Sequence, residues 1–151
     1  MKYIFLILVL ALVLHPTFAQ KNKKTMEKQI ILTNDAPQPI GPYSQAVLMG
    51  NTLYVSGQIA LNPQTGQIEQ TNIKAETQRV LENLKALLTA AGYGFEHVAK
   101  CTIYCTNLGD FAAINEMYGS YFASNPPARE TVQVSALPKG AKVEISVVAV
   151  K

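Results

Sequence analysis

The sequence predicts an α+β domain in which two helices cover one face of a single mixed sheet, in the order β-β-β-α-β-α-β-β. Three observations carry this. Short runs rich in β-branched and aromatic residues recur along the chain, bounded by Gly, Pro, Asn or Asp. Two longer segments repeat apolar residues at helical spacing. No internal linker or low-complexity tract separates them, so one core has to serve every element.

Taken in order, residues 29–32 form a short apolar strand. Residues 34–42 hold three prolines and a glycine and read as either an extended ordered loop or a mobile one. Residues 46–49 and 52–59 are strands joined by Gly50-Asn51, a dipeptide that supports φ > 0 at both positions of a hairpin turn. Asn62-Pro63-Gln64-Thr65-Gly66 is a turn. A helix spans 73–91, with Asn72 as its N-cap and Gly92 as its stop. Ile73, Val80, Leu81, Leu84, Leu87, Leu88 and Ala91 form its apolar face, and Glu76, Arg79, Glu82 and Lys85 the polar side. Residues 98–106 are a strand, and Asp110 caps a second helix over 111–122. Residues 131–134 and 143–150 are the last strands. Val147 to Val150 are consecutively apolar, so both faces of the last strand read as apolar, and an open face of this kind argues for association with further copies.

Residues 1–19 read as a secretory signal peptide: Lys2, an apolar run from Ile4 to Leu14, then Thr17-Phe18-Ala19 before a cleavage point. The run is shorter than the ~20 residues that span a bilayer as a helix. The expectation is a periplasmic or secreted protein with no membrane attachment after cleavage; the alternative is an uncleaved anchor. Residues 20–27 form a polar arm carrying Lys21, Lys23 and Lys24, and residues 28–151 form the domain. Thirteen basic residues face ten acidic ones over the whole chain. Because Lys2 and the arm lysines lie outside it, the domain is near neutral and lacks the dense basic patch that nucleic acid binding needs.

Elimination narrows the chemistry. Cys101 and Cys105 lie four residues apart on one strand, about 13 Å, whereas a disulfide needs Cα atoms within about 7 Å. They read as buried small hydrophobes. His97 is the only histidine outside the signal segment, so a site with several histidine ligands is excluded, and no P-loop or G-x-G-x-x-G run is present. An enzyme built on this chain works without metal, nucleotide cofactor or histidine base.

Several segments carry more specification than a scaffold needs. Asn125-Pro126-Pro127-Ala128-Arg129 sets one of only two arginines at the mouth of a strand, where its fixed fork of donors suits a carboxylate; the other reading is an arginine in a surface ion pair. Ile40-Gly41-Pro42-Tyr43-Ser44-Gln45 places an aromatic hydroxyl after a rigid turn. Ser56-Gly57 interrupts a strand with a glycine that lets a ligand or backbone approach closely. Asn115 lies within the second helix. Glu144 sits between Val143 and Ile145, facing either a site or water.

On these runs the chain resembles the RidA (YjgF) family of reactive-intermediate deaminases. The matching segments are Ile-Gly-Pro-Tyr-Ser-Gln (40–45), Ser-Gly-Gln-Ile (56–59), Asn-Pro-x-Thr-Gly (62–66), Pro-Ala-Arg (127–129), Leu-Pro-Lys (137–139) and Lys-Val-Glu-Ile (142–145), over about residues 28–151. The resemblance implies a chorismate-mutase-like fold and a homotrimer with clefts at the subunit interfaces, Tyr43 facing Arg129 of a neighbour. It implies that Arg129 binds a substrate carboxylate and that Glu144 lies beside the reacting imine. Tyr43, Ser56, Gly57 and Asn115 fall in or near the cleft, and Thr131 contributes through its backbone carbonyl. Some relatives carry cysteine at position 131.

The implied reaction is hydrolysis of 2-imino acids such as 2-iminobutanoate and 2-iminopropanoate to 2-keto acids and ammonia, without metal or cofactor. Arg129 would fix the carboxylate, water would add to the C=N carbon, and Glu144 would relay the protons. Two rivals stand beside it. One is a trimeric binding or chaperone-like protein on the same fold, because a fold hosts many functions. The other, attached to some relatives, is a ribonuclease, against which the low charge and the single histidine argue.

Overall fold

The computed structural model describes residues 26–151; the segment read as a signal peptide and most of the polar arm lie outside the described residues. Its strands are β1 (Lys28–Ile31), β2 (Ala46–Met49), β3 (Thr52–Gln58), β4 (Val98–Cys105), β5 (Ala128–Gln133) and β6 (Val143–Val150), and its helices α1 (Ile73–Ala90) and α2 (Phe111–Tyr121). The expected element order is present. The strands form one six-stranded sheet in the order β1-β2-β3-β6-β4-β5, antiparallel throughout except for the parallel pair β4–β5.

Both helices lie on the same face of this sheet. Leu53 and Val55 of β3, Cys101, Ile103 and Cys105 of β4, and Val143, Ile145, Val147 and Ala149 of β6 alternate inward, packing with Val80, Leu81, Leu84, Leu87 and Leu88 of α1 and Ile114 and Tyr118 of α2. The two cysteines are free and buried, and burial pushes the Cys101 thiol up to about 11.

The other face is uncovered in a single chain. Register brings Ile30, Val47, Tyr54 and Val148 into one row across four strands. Ile30 and Tyr54 are exposed, and Val150 ends the next row. The reading of β6 as apolar on both faces holds for Val148 and Val150 only. Its first half turns Glu144 and Ser146 to the open side, where Ser146 pairs with Thr102 and Glu144 with Tyr104.

Local chemistry explains the element ends. Asn72 caps α1 by accepting from the Ala75 N–H at 3.0 Å. At its end, Gly92 adopts φ +75°, and the Gly92 and Tyr93 N–H groups return to the Thr89 and Leu88 carbonyls. Two expectations are corrected. In the β2–β3 hairpin Gly50 has φ +64° but Asn51 is not in the left-handed region, so the turn places Gly at the first central position only, as type II′ requires. Asp110 makes no side-chain cap to α2, because a 3₁₀ turn over Leu108–Asp110 runs directly into the helix and gives Asp110 a helical backbone. Asn107 caps that turn instead, through the Gly109 N–H at 2.9 Å.

The largest departure in α1 is Glu76, assigned by residue type to the polar side but fully buried. One oxygen accepts from the Lys142 N–H at 2.6 Å, which ties α1 to the start of β6, and the other has no partner. Burial raises its pKa above the ordinary 4.5, opposed by the Lys142 hydrogen bond. The folded carboxyl therefore binds its proton more tightly than the unfolded one. No penalty exists below the unfolded pKa; it grows as pH rises through the folded pKa and is complete above it. Glu76→Gln, neutral and of the same shape, is expected to match wild-type stability near pH 4. It should exceed it by ~1 kcal/mol at neutral pH, measured by urea denaturation. A constant difference across pH would contradict the titration of Glu76.

Candidate active site

The candidate residues fall into two groups on opposite faces of the sheet. The first surrounds a cleft of ≈ 320 Å³ on the open side, lined by Ile40, Tyr43, Ser56, Gly57, Ile59, Pro138 and Glu144. Its wall is built by a β-bulge. Val55 pairs with Val147 and Gln58 with Ile145, so Ser56 and Gly57 together oppose Ser146. The bulge puts both residues on the wall of the cleft that Glu144 lines.

The Pro-rich loop before β2 is held by one buried side chain. Gln45 accepts from the Thr33 N–H at 2.8 Å and donates to the carbonyls of Thr33, Ala36 and Pro37. This fixes both ends of the segment that delivers Tyr43, whose hydroxyl accepts from the Ile40 N–H at 3.3 Å. The Ser56 hydroxyl donates to the Ser44 carbonyl at 2.7 Å, so its proton is committed and its lone pairs remain for an N–H from a bound molecule.

Glu144 is half-buried, and desolvation raises its pKa above the ordinary carboxyl value. A carboxyl so tuned moves toward the range in which it can both take and return a proton. Its position depends on Gly57. A Cβ there would stand 2.8 Å from the Glu144 Cδ and closer still to Oε1, and the backbone of Gly57 is outside the left-handed region, so the lack of a side chain is what matters. Gly57→Ala is expected to fold with a stability change under ~1 kcal/mol while displacing the carboxylate; a shift of ~1 Å costs ~10²-fold in rate where geometry is set for reaction. A kcat within twofold of wild type would contradict a positional role for Gly57.

The second group lies on the helix side, at the edge strand. β5 begins three residues earlier than expected, so Arg129 is its second residue, paired with the buried Cys101. Its side chain runs along α2. Nη1 donates to Asn115 Oδ1 at 2.7 Å, and the guanidinium carbon lies 4.6 Å from the Tyr118 ring centroid and 5.9 Å from that of Phe111. Among the described residues no carboxylate stands within ion-pair distance of Arg129, unlike Arg79, which pairs with Glu82 at 2.8 Å. The surface ion pair weighed for Arg129 is therefore absent among those residues. Thr131 follows on the same side of β5, opposite Ile103.

One chain thus joins Tyr43, Ser56, Gly57 and Glu144, and separately Arg129 with Asn115 and Thr131, but not the two groups with each other. Sequence reasoning missed Phe111 and Tyr118, although the spacing Phe111, Asn115, Tyr118 (i, i+4, i+7) puts all three on one helix stripe.

This sheet order, with two helices on one face, defines a chorismate-mutase-like α+β protein. The chain belongs to the RidA (YjgF) family: residues 33–151 match the family model described as Endoribonuclease L-PSP. Among its relatives, Protein DfrA of Myxococcus xanthus is 54% identical over 129 residues, covering 84% of this chain and 98% of that protein. The 2-iminobutanoate/2-iminopropanoate deaminase of Homo sapiens is 45% identical over 124 residues, covering 82% and 90%. Among solved structures, E. coli TdcF with bound serine superposes with a TM-score of 0.79 at 43% identity, covering 82% of this chain and 98% of TdcF. The YjgF gene product from E. coli gives 0.78 at 40% identity, with the same coverage.

Proposed function

We propose that the protein hydrolyses 2-imino acids, 2-iminobutanoate and 2-iminopropanoate, to 2-keto acids and ammonia. The observation that carries this is the Arg129 guanidinium, anchored at one nitrogen by Asn115 and without a carboxylate partner among the described residues. Such a group is set to take a substrate carboxylate in two parallel hydrogen bonds. The deaminase name of the human relative supports the same reading.

With the carboxylate held, the adjacent C=N carbon is fixed for attack. Glu144 takes a proton from the water as its oxygen bonds to that carbon and passes it to the nitrogen as the C=N π bond opens, giving a carbinolamine. The nitrogen takes up a proton and leaves as ammonia, the C–N bond breaks, and the hydroxyl closes to the ketone as its proton departs. One water is consumed and no electrons change hands. Ser56 can accept an N–H of the imine during these steps, and Ile40, Ile59 and Pro138 suit a short aliphatic side chain.

The site is proposed to be completed in a homotrimer, the Tyr43–Glu144 cleft of one subunit meeting Arg129 and Asn115 of the next. The uncovered row of Ile30, Val47, Tyr54 and Val148 supports association, since a contiguous exposed apolar row of this kind marks an interaction surface. Light scattering at about three times the chain mass is the expected result. Residues 1–19 as a cleaved signal would place the trimer in the periplasm or outside the cell.

The test of the function is ammonia or 2-keto acid release when an amino-acid oxidase or a dehydratase generates the imine in situ. Alanine-, 2-aminobutyrate- and leucine-derived imines are compared side by side. No acceleration over buffer at micromolar enzyme overturns the reading; carboxylate binding without turnover would instead favour the binding-protein role.

A further inference from the structure

The stripe on α2 that receives Arg129 has a composition that packing does not explain. Tyr118 is buried and stacks on Phe122, but Phe111 is 42% exposed and lies outside the buried core, so it gains little from burial. Both rings lie within the ~6 Å of a guanidinium at which cation–π attraction acts. Asn115, between them in sequence, takes one N–H at 2.7 Å. The Tyr118 hydroxyl is buried beside the Cys101 thiol without a hydrogen bond of good geometry, so what Tyr118 offers Arg129 is its ring face.

We propose that Phe111 and Tyr118 are positioning residues for Arg129: the two rings hold the guanidinium plane while Asn115 fixes one edge, leaving the remaining N–H donors set for a planar carboxylate. This rests on the reading of Arg129 as the carboxylate anchor. A free arginine side chain has several soft torsions, and a fork that must find its angle on each encounter binds more weakly than one held ready. The rings act through Arg129 and touch no reacting atom. Their loss therefore appears mainly in KM and in product affinity, not in the steps at Glu144.

The experiment compares wild type with Phe111→Leu, Phe111→Tyr, Tyr118→Phe and Arg129→Ala, and a double variant of Phe111→Leu with Arg129→Ala. Each is measured for KM and kcat in the coupled imine assay, for Kd of 2-oxobutanoate by calorimetry, and for Tm. Phe111→Leu should raise KM and Kd about three- to tenfold, with kcat within twofold and Tm close to wild type. Phe111→Tyr and Tyr118→Phe keep the ring faces and should behave as wild type. In the Arg129→Ala background, Phe111→Leu should have no further effect on 2-oxobutanoate binding.

Unchanged KM and Kd in Phe111→Leu, beside a wild type that turns over imine and an inactive Arg129→Ala, overturn the positioning role and leave the deaminase reading intact. A wild type that binds 2-oxobutanoate but does not accelerate imine hydrolysis overturns the deaminase reading, and the Kd series still decides the positioning role. If wild type neither binds nor turns over, both fall.

Discussion

Arg129→Ala is expected to abolish imine hydrolysis while leaving the fold nearly as stable as wild type. The two effects separate because the side chain does little for the chain itself. Folding loses one hydrogen bond to Asn115 and ring contacts at a partly exposed site, together ~1 kcal/mol. Catalysis loses the group proposed to anchor the substrate. Two charge-assisted hydrogen bonds at ~1.5–3 kcal/mol each correspond to ~10²–10⁴ in kcat/KM, enough to bring the reaction down toward its rate in buffer. Differential scanning calorimetry beside the coupled assay checks both. A Tm loss as large as that of a core truncation would mean that Arg129 is structural and that its inactivity is a folding defect.

Mixing two inactive proteins is expected to restore activity, provided their lesions lie on opposite sheet faces. Glu144→Gln removes the group proposed to move protons, and Arg129→Ala removes the proposed carboxylate anchor. In one chain these residues are on different sides of the sheet, Glu144 in the row with Tyr104 and Arg129 beside Cys101 and α2. A cleft that uses both must therefore draw them from two subunits. After subunit exchange at equal amounts, a cleft regains both residues when its Glu144 comes from the Arg129→Ala chain and its Arg129 from the Glu144→Gln chain. In a cyclic trimer that is about a quarter of all clefts. The control is a mixture of Tyr43→Ala with Glu144→Gln, whose lesions share one face of one chain and cannot complement. Recovery in the control as well, or in neither mixture, would overturn the shared cleft. So would a fully active monomer.

The contrast between Glu76 and Glu144 marks how far the sequence reaches. Both are glutamates in elements that pack on the core, and both have raised pKa values from burial. One binds α1 to the start of β6 and the other faces the cleft. By spacing alone Glu76 belongs to the stripe through Ile73, Val80 and Leu84, but its charge assigned it to the water-facing side. What overrode the charge is a backbone N–H at Lys142, 66 residues away, which no local pattern reveals.

The sequence by itself determined the element order, both helices and the Asn72 and Gly92 stops of α1, because periodicity and caps are local properties of the chain. It also supplied the two groups of candidate site residues through short motifs that resemble a known family. Only the tertiary structure decided how those residues are distributed over the sheet. Alternation along a strand says which residues share a face within that strand, but strand order and register determine which faces coincide between β3, β5 and β6. The bulge at Ser56–Gly57, the parallel pairing of β5 with β4, and the approach of α2 to Arg129 all depend on contacts between residues distant in sequence. Together they put Arg129 and Glu144 on opposite sides of one chain.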